Sequence, residues 1–293
     1  MELIETSLSR FGELFDSDDN RIVYNTASFN ELNRAKAESV KAFLFYERGQ
    51  LQAGQILGLS NGVWKAPFSA PFSSLSVKAE VDVDDLYKIL SKHVGRGLKL
   101  VWSPPFYPAV KPPKGFKTVN DYNYHYPLSR FNEYENYLTR SGRYNHHRAL
   151  KHNFEFFKTE DVGRAYGIIS ENRKLMGYPL AMSLDEVMKT VKVVNADFFV
   201  MTLDGEDVAS AMLYEVSPGI MQLIYWGDLP QGRSARTMNR LAWHVFNHYA
   251  TERDNISIID IGPASTDGLK NEGLCQFKLS LGCVETLRPT IFI

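Results

Sequence analysis

A long internal repeat constrains this chain more than any other feature. From Ala42 the sequence reads AFLFYERGQLQAGQIL, and from Phe198 it reads FFVMTLDGEDVASAML. Gly49 and Gly205 take the same turn position, with Phe43 and Phe199 six residues before and Ala53 and Ala209 four after. Each segment reads as a β-hairpin. In each half more strand follows, then a helix, then an apolar strand ending in proline: LKLVWSPP from Leu98 and ISIIDIGPA from Ile256. The turn glycine and that proline are 55 residues apart in the first half (104 − 49) and 58 in the second (263 − 205). Such a period is too long for a solenoid. It predicts two tandem copies of one mixed α/β (α+β) domain, each a mostly antiparallel sheet flanked by helices. Residues 41–105 and 197–265 should share one topology.

Five prolines between Ser103 and Lys117 exclude a helix or a central strand there. The boundary therefore falls near residue 120, giving an N-terminal domain 1–120 and a C-terminal domain 121–293. Apolar spacing predicts helices over 3–15, 29–39, 83–93, 131–140, 144–152, 161–176, from Ser183, and over 234–251, with a short strand at 21–24. A net charge of −1 gives no global field for nucleic acid or an anionic membrane. The acidic start reads as neither signal peptide nor membrane span, and no stretch reaches 18 apolar residues. Two cysteines are too few for a disulfide framework or a thiolate-rich metal site. The expectation is a cytoplasmic protein without bound metal, membrane partner or DNA partner.

The chemistry is expected near the end of the second copy. The run Ile256–Ile261 is a buried strand, Gly262-Pro263 opens a polar loop, and a helix over 272–281 stops at Gly282. Leu274, Phe277 and Leu281 form one apolar stripe with Lys278 at its edge. Either that ammonium snorkels to solvent, or it is partly desolvated and pairs with an anion. Phe277 and Asn271 beside it are substrate-binding candidates. Tyr225, Trp226 and Asp228 end another strand; either the aromatics are core, or they line a pocket in which Asp228 or Asp260 orients an amine. Gly227, Gln231, Gly232, Arg233, Ser234 and Arg236 precede a helix, which suits a phosphate. The same loop also reads as an ordinary connection with Ser234 as N-cap. Arg140, Arg143, His146, His147, Arg148, Lys151 and His152 form a basic run. That run would hold a diphosphate or a tRNA backbone, or is a solvated helix face. Arg173 is a weaker candidate of the same kind. Cys275 has no nearby base to make it a nucleophile.

Four segments carry a family resemblance: RIVYNTASFNEL near the start, ENRKLMGYPLAMS from Glu171, DIGPAS from Asp260, and GLCQFKLSLG from Gly273. Together with the element order they resemble a tandem GNAT-fold protein, and within that superfamily the Fem-type aminoacyltransferases. The last segment has the G-x-x-x-F-K-x-x-x-G shape of the second Fem-type domain. The resemblance implies transfer of an acyl group from acyl-CoA or aminoacyl-tRNA, as co-substrate, to a small-molecule or peptide amine. A cell-wall precursor is among the acceptors it suggests. It also implies an active-site role for Lys278, in a site expected between the domains. There a fixed cation stabilises charge on the carbonyl oxygen, so Lys278→Met should keep the fold and lower turnover. Gln231–Arg236 only loosely echo the superfamily's phosphate signature. That leaves a second reading open, a non-catalytic GNAT-like module that binds a nucleotide-linked or glycan ligand.

Overall fold

The computed structural model describes residues 1–95 and 97–293. The chain divides into two compact units: residues 1–122, 265–269 and 286–293 in the first, 123–264 and 270–285 in the second. The expected boundary near residue 120 thus has two returns across it, at 265–269 and at 286–293.

In the first unit, strand β1 (Glu2–Thr6) precedes helices α1 (Leu8–Phe15) and α2 (Ala27–Leu32). The strands β2 (Ser39–Glu47), β3 (Gln50–Ser60) and β4 (Val63–Ala66) follow, then β5 (Ser76–Val77), helix α3 (Val83–Val94) and β6 (Leu98–Val101). Pairing runs β1-β2-β3-β4-β6, antiparallel until the last pair, which is parallel. Both hairpin turns have positive φ at their two central residues, Arg48-Gly49 and Asn61-Gly62. That is the type I′ requirement, and it keeps strand twist across two-residue loops. Phe43, Phe45, Leu57, Leu86, Tyr87, Leu90 and Trp102 form the main core, and Phe11, Phe15, Leu44 and Ile56 fill the opposite face.

Strand β7 (Lys117–Pro127) carries the chain into the second unit, where helices α4 (Tyr134–Tyr137) and α5 (Arg140–Ala149) follow. Then the first unit's order recurs: β8 (Phe154–Lys158), α6 (Val162–Met176), α7 (Leu184–Thr190), β9 (Ala196–Leu203), β10 (Glu206–Ser217), β11 (Ile220–Asp228), α8 (Thr237–Glu252) and β12 (Ile258–Pro263). Pairing runs β8-β9-β10-β11-β12, again antiparallel except for the last, parallel pair. The Asp204-Gly205 turn repeats the paired positive φ of Arg48-Gly49. Short strands β13 (Ser265–Thr266) and β14 (Leu269–Lys270), helix α9 (Glu272–Ser280) and β15 (Val284–Phe292) end the chain. The repeat is therefore strand, two helices, a three-stranded meander, helix, parallel strand, twice over.

Several local expectations need correction. Residues 2–6 are an edge strand rather than the first turn of a helix; Ser7 caps α1 by accepting from the Arg10 amide, so the helix begins only at Leu8. Residues 23–25 form a 3₁₀ turn, not a strand, and a second one at 34–36 ends α2 early. Residues 128–133 are likewise 3₁₀ and α5 starts at Arg140, capped by Thr139. Strands β1, β8 and β15 were not foreseen. Among the described residues no helix is long and apolar enough to cross a membrane.

Helix α5 packs on α8 and α9. Its Gly142 lies so close to the Ser280 carbonyl that an added Cβ would overlap that oxygen. We expect Gly142→Ala to destabilise the protein by about 1–3 kcal/mol, the scale of an overpacked core. Denaturant unfolding checks this, and a midpoint equal to wild type would mean that α9 is free to move away.

Candidate functional site

The second unit opens where its parallel strands part. β11 and β12 pair through Ile220↔Ile258, Met221↔Ile259 and Gln222↔Asp260. Beyond that register β11 continues to Asp228 and β12 to Pro263 without pairing to each other. A register shift in the β10–β11 ladder between Met212 and Leu213 bends β11 at this point. The result is a cleft of about 680 Å³, lined on one side by Leu223, Ile224, Trp226, Gly227 and Asp228 and on the other by Ile261, Gly262 and Pro263. Helix α6 contributes Asn172, Arg173 and Met176, and helix α9 contributes Leu274, Phe277 and Lys278. Every described lining residue belongs to the second unit. At the matching place in the first unit, Ser73 donates to Val101 O at 2.7 Å and accepts from Ser103 N at 2.8 Å. Buried Phe72 and Trp102 occupy that place.

Lys278 is 3% exposed and lines the cleft. Its Nζ donates to the carbonyls of Ile261 and Gly262 at 2.8 Å and of Pro263 at 2.9 Å. Three consecutive carbonyls converge because β12 carries a bulge between Asp260 and Pro263, with Gly262 at φ 73°. Only glycine takes that conformation without strain. An ammonium has three protons, and these three bonds use them. The expected oxyanion donor is, in this geometry, the pin of the cleft wall. The Lys278 charge also lies 5.6 Å from the Tyr124 ring centre.

Asp260 is fully buried and does not line the cleft. Its carboxylate accepts from Asn123 Nδ2 (2.8 Å), Gln222 Nε2 (2.9 Å) and the Gly262 amide (2.9 Å). It holds the bulge from behind while Lys278 holds it from the cleft. Asp228 is the one carboxylate among the described lining residues. Burial pushes its pKa above the ordinary aspartate value, against the opposing pull of Arg233, whose Nε lies 3.4 Å from Oδ1. Tyr225 is absent from the lining; its hydroxyl accepts from the Ala181 amide at 3.1 Å, and the Arg173 guanidinium sits 5.9 Å from its ring centre. Trp226 faces Phe277 with ring centres 6.0 Å apart, forming an aromatic wall.

Gly227 lies against Asn172, where an added Cβ would come within 2.5 Å of the side-chain carbon; Asn172 Nδ2 holds the Asp228 carbonyl at 2.7 Å. Arg173 and Arg233 line the cleft, and among the described residues the buried Nε of Arg173 has no hydrogen-bond partner. The rest of the expected phosphate loop is otherwise engaged. Pro230 starts a 3₁₀ turn over 230–235, the Gly232 amide donates to Leu229 O at 3.1 Å, and Thr237 Oγ1 donates to the Gly232 carbonyl. Gln231 donates to Asp207 O at 3.1 Å, and Ser234 is exposed outside the cleft. Helix α8 begins at Thr237, after Arg236 in a left-handed conformation, so Ser234 is not its N-cap.

The other substrate-binding candidates lie elsewhere. Arg143 donates to Glu135 O at 2.8 and 3.2 Å, and Arg148 sits 5.9 Å from the Tyr144 ring centre. Asn271 caps α9 by accepting from the Leu274 amide. Sequence reasoning thus selected Lys278, Asp228, Gly227, Arg173, Arg233 and Phe277 for the cleft. It missed Asn172, Met176, Met238 and the carbonyl run Ile261–Pro263, of which only Gly262 gave a signal.

A three-stranded meander flanked by helices and closed by a parallel strand, present twice, defines the tandem GNAT-like fold; the parallel strands splay at a bulge in the second copy. No protein-family model and no curated protein matches the chain. Solved structures do. FemX matches with a TM-score of 0.66 at 12% identity, covering 99% of this chain and 96% of that one. The C-terminal domain of a putative lysylphosphatidylglycerol synthetase from Agrobacterium fabrum matches with a TM-score of 0.63 at 14% identity, over 97% and 92%. A tandem GNAT protein from the clavulanic acid biosynthesis pathway matches with a TM-score of 0.54 at 10% identity, over 100% and 98%. The chain has the Fem-like, tandem GNAT fold.

Proposed function

We propose that the chain is an N-acyl or aminoacyl transferase whose reaction takes place in the cleft between β11 and β12. The observation that carries this reading is Asp228, a carboxylate of raised pKa at the end of β11, facing a cleft walled by Trp226 and Phe277. The amine nitrogen attacks the carbonyl carbon of the activated acyl group and gives up its proton to Asp228. The bond from that carbon to the carrier's sulfur or oxygen breaks, and the carrier leaves with its electron pair and takes up a proton. Lys278 positions the wall formed by 261–263, and its charge favours negative charge developing on the carbonyl oxygen. Arg173, with a buried unpaired Nε, and Arg233 would take the donor's phosphates. The donor is acyl-CoA or aminoacyl-tRNA; the likeness to FemX and to a lysylphosphatidylglycerol synthetase favours an aminoacyl group.

Equilibrium binding of each donor, followed by turnover with a panel of primary amines, tests this. Amide formation from one donor is the expected result. Binding without turnover on any amine would instead favour the non-catalytic module. Arg173→Gln is expected to weaken donor binding about tenfold, the scale of one charge-assisted hydrogen bond. Unchanged affinity would remove Arg173 from the donor site.

A further inference from the structure

The face of α8 turned away from the cleft carries charge that the proposed reaction does not use. Arg240 and His244 lie four residues apart on one face. Met238, which lines the cleft, is about 200° round the helix from Arg240. Arg236 stands one turn before Arg240. Among the described residues, the buried Nε of Arg236, at the N-cap of α8, and Nε and Nη1 of Arg240 and Nε2 of His244 on this face have no hydrogen-bond partner. The Arg240 guanidinium sits 4.4 Å from the Trp243 ring centre. That ring is 4.9 Å from His244 and 6.3 Å from His146 of α5. His244 in turn stacks on Phe156 at 4.9 Å. His146 is 4% exposed and its Nδ1 is unpartnered, while its Nε2 lies 3.9 Å from Glu135 Oε1.

Buried donors without partners cost free energy, and native folds rarely retain them in a group. Burial lowers the pKa of Arg240, and burial together with the Arg240 charge lowers both histidines, His244 to about 3. Among the described residues no carboxylate pairs with Arg240. We propose that this cluster binds one phosphoryl group, of a small phosphate ester or of free phosphate, at a site separate from the cleft. A guanidinium presents its N–H groups in a planar fork that fits phosphoryl oxygens, and a neutral imidazole adds one further donor. A single group fits better than a polyanion, because the nitrogens are buried and the chain's net charge of −1 offers no long-range field.

The test is calorimetric titration and thermal unfolding of the full chain with inorganic phosphate, against chloride at matched ionic strength. Saturable binding and a raised melting temperature are expected with phosphate only. Arg240→Gln should weaken binding at least about tenfold, the loss of charge-assisted bonds. His244→Gln should weaken it less, and carries the test should Arg240→Gln fail to fold. Lys88→Gln, on the exposed side of α3 in the first unit, should leave it unchanged. Glycerol 3-phosphate competing for the same site would identify an ester as the ligand; failure to compete would leave free phosphate. Equal responses to phosphate and chloride, or undiminished binding in both α8 variants, would overturn the proposal. So would binding of a phosphodiester oligonucleotide without binding of inorganic phosphate.

Discussion

Lys278→Met is expected to destabilise the protein by about 3–5 kcal/mol, the cost of removing one partner from a buried charged network. The Lys278 ammonium is the shared donor to the carbonyls of Ile261, Gly262 and Pro263. Methionine is one atom shorter and offers no proton, so three carbonyls lose this donor at once. The bulge in β12 is then held from behind, through the Asp260 bond to the Gly262 amide. Turnover should fall as well, because the wall that faces the acyl group relaxes. This differs from the sequence expectation that the variant keeps its fold intact and loses rate alone. Lys278→Arg should restore little, since a planar fork cannot point three protons at three convergent oxygens as a tetrahedral ammonium does. Denaturant unfolding measures the effect. A variant with wild-type stability and reduced turnover would return Lys278 to a purely electrostatic role.

Asp228→Asn is expected to lower kcat/KM by about 10²–10⁴-fold, the usual contribution of a general base, while raising stability at neutral pH. The stability sign follows from linkage. Burial raises the Asp228 pKa in the folded state, so the folded chain holds that proton more tightly than the unfolded chain does. The group's favourable contribution is complete below the unfolded-state pKa and is lost as pH rises through the folded-state value. At neutral pH the ionised carboxylate therefore weakens the fold, and asparagine removes that penalty. The gain should shrink when unfolding is measured in acid, where wild type carries the proton too. Losing the contact with Arg233 costs little, because that guanidinium is 43% exposed. In wild type the acid limb of the pH–rate profile should lie above the ordinary aspartate range and be absent from the variant. A destabilised variant, or an unchanged limb, would contradict the assignment.

The repeat was legible because two-residue turns leave a local signature, with Gly49 and Gly205 at the same offset in matching hairpins. Strand β15 was not, because its partner is distant in sequence: Thr290, Ile291 and Phe292 pair with Val101, Leu100 and Lys99. Strand β8 was missed because FEFFK lacks clean alternation and lies at the edge of its sheet, beside β9 alone. In the site, Lys278 could be singled out by its place beside an apolar stripe, but the carbonyl cage that receives it depends on a bulge, which depends on Gly262. The loop over 229–235 misled because glycine serves close packing as readily as phosphate binding. Here Gly232 makes room for Thr237. Asp228 ends β11 and Asp260 lies inside β12, each after an apolar run; only burial and partners separate the carboxylate that braces the cleft from the one that faces it.

The measurement that bears most directly on the central claim is amide formation by wild type and Asp228→Asn. Each would be supplied with acyl-CoA or aminoacyl-tRNA and a pool of primary amines, with products followed by mass spectrometry. The account predicts an amide product from one donor, reduced at least about 10²-fold by the substitution although the variant is folded and binds donor. Product formed equally by both proteins would place the chemistry outside the cleft, and donor binding without product from either would contradict catalysis.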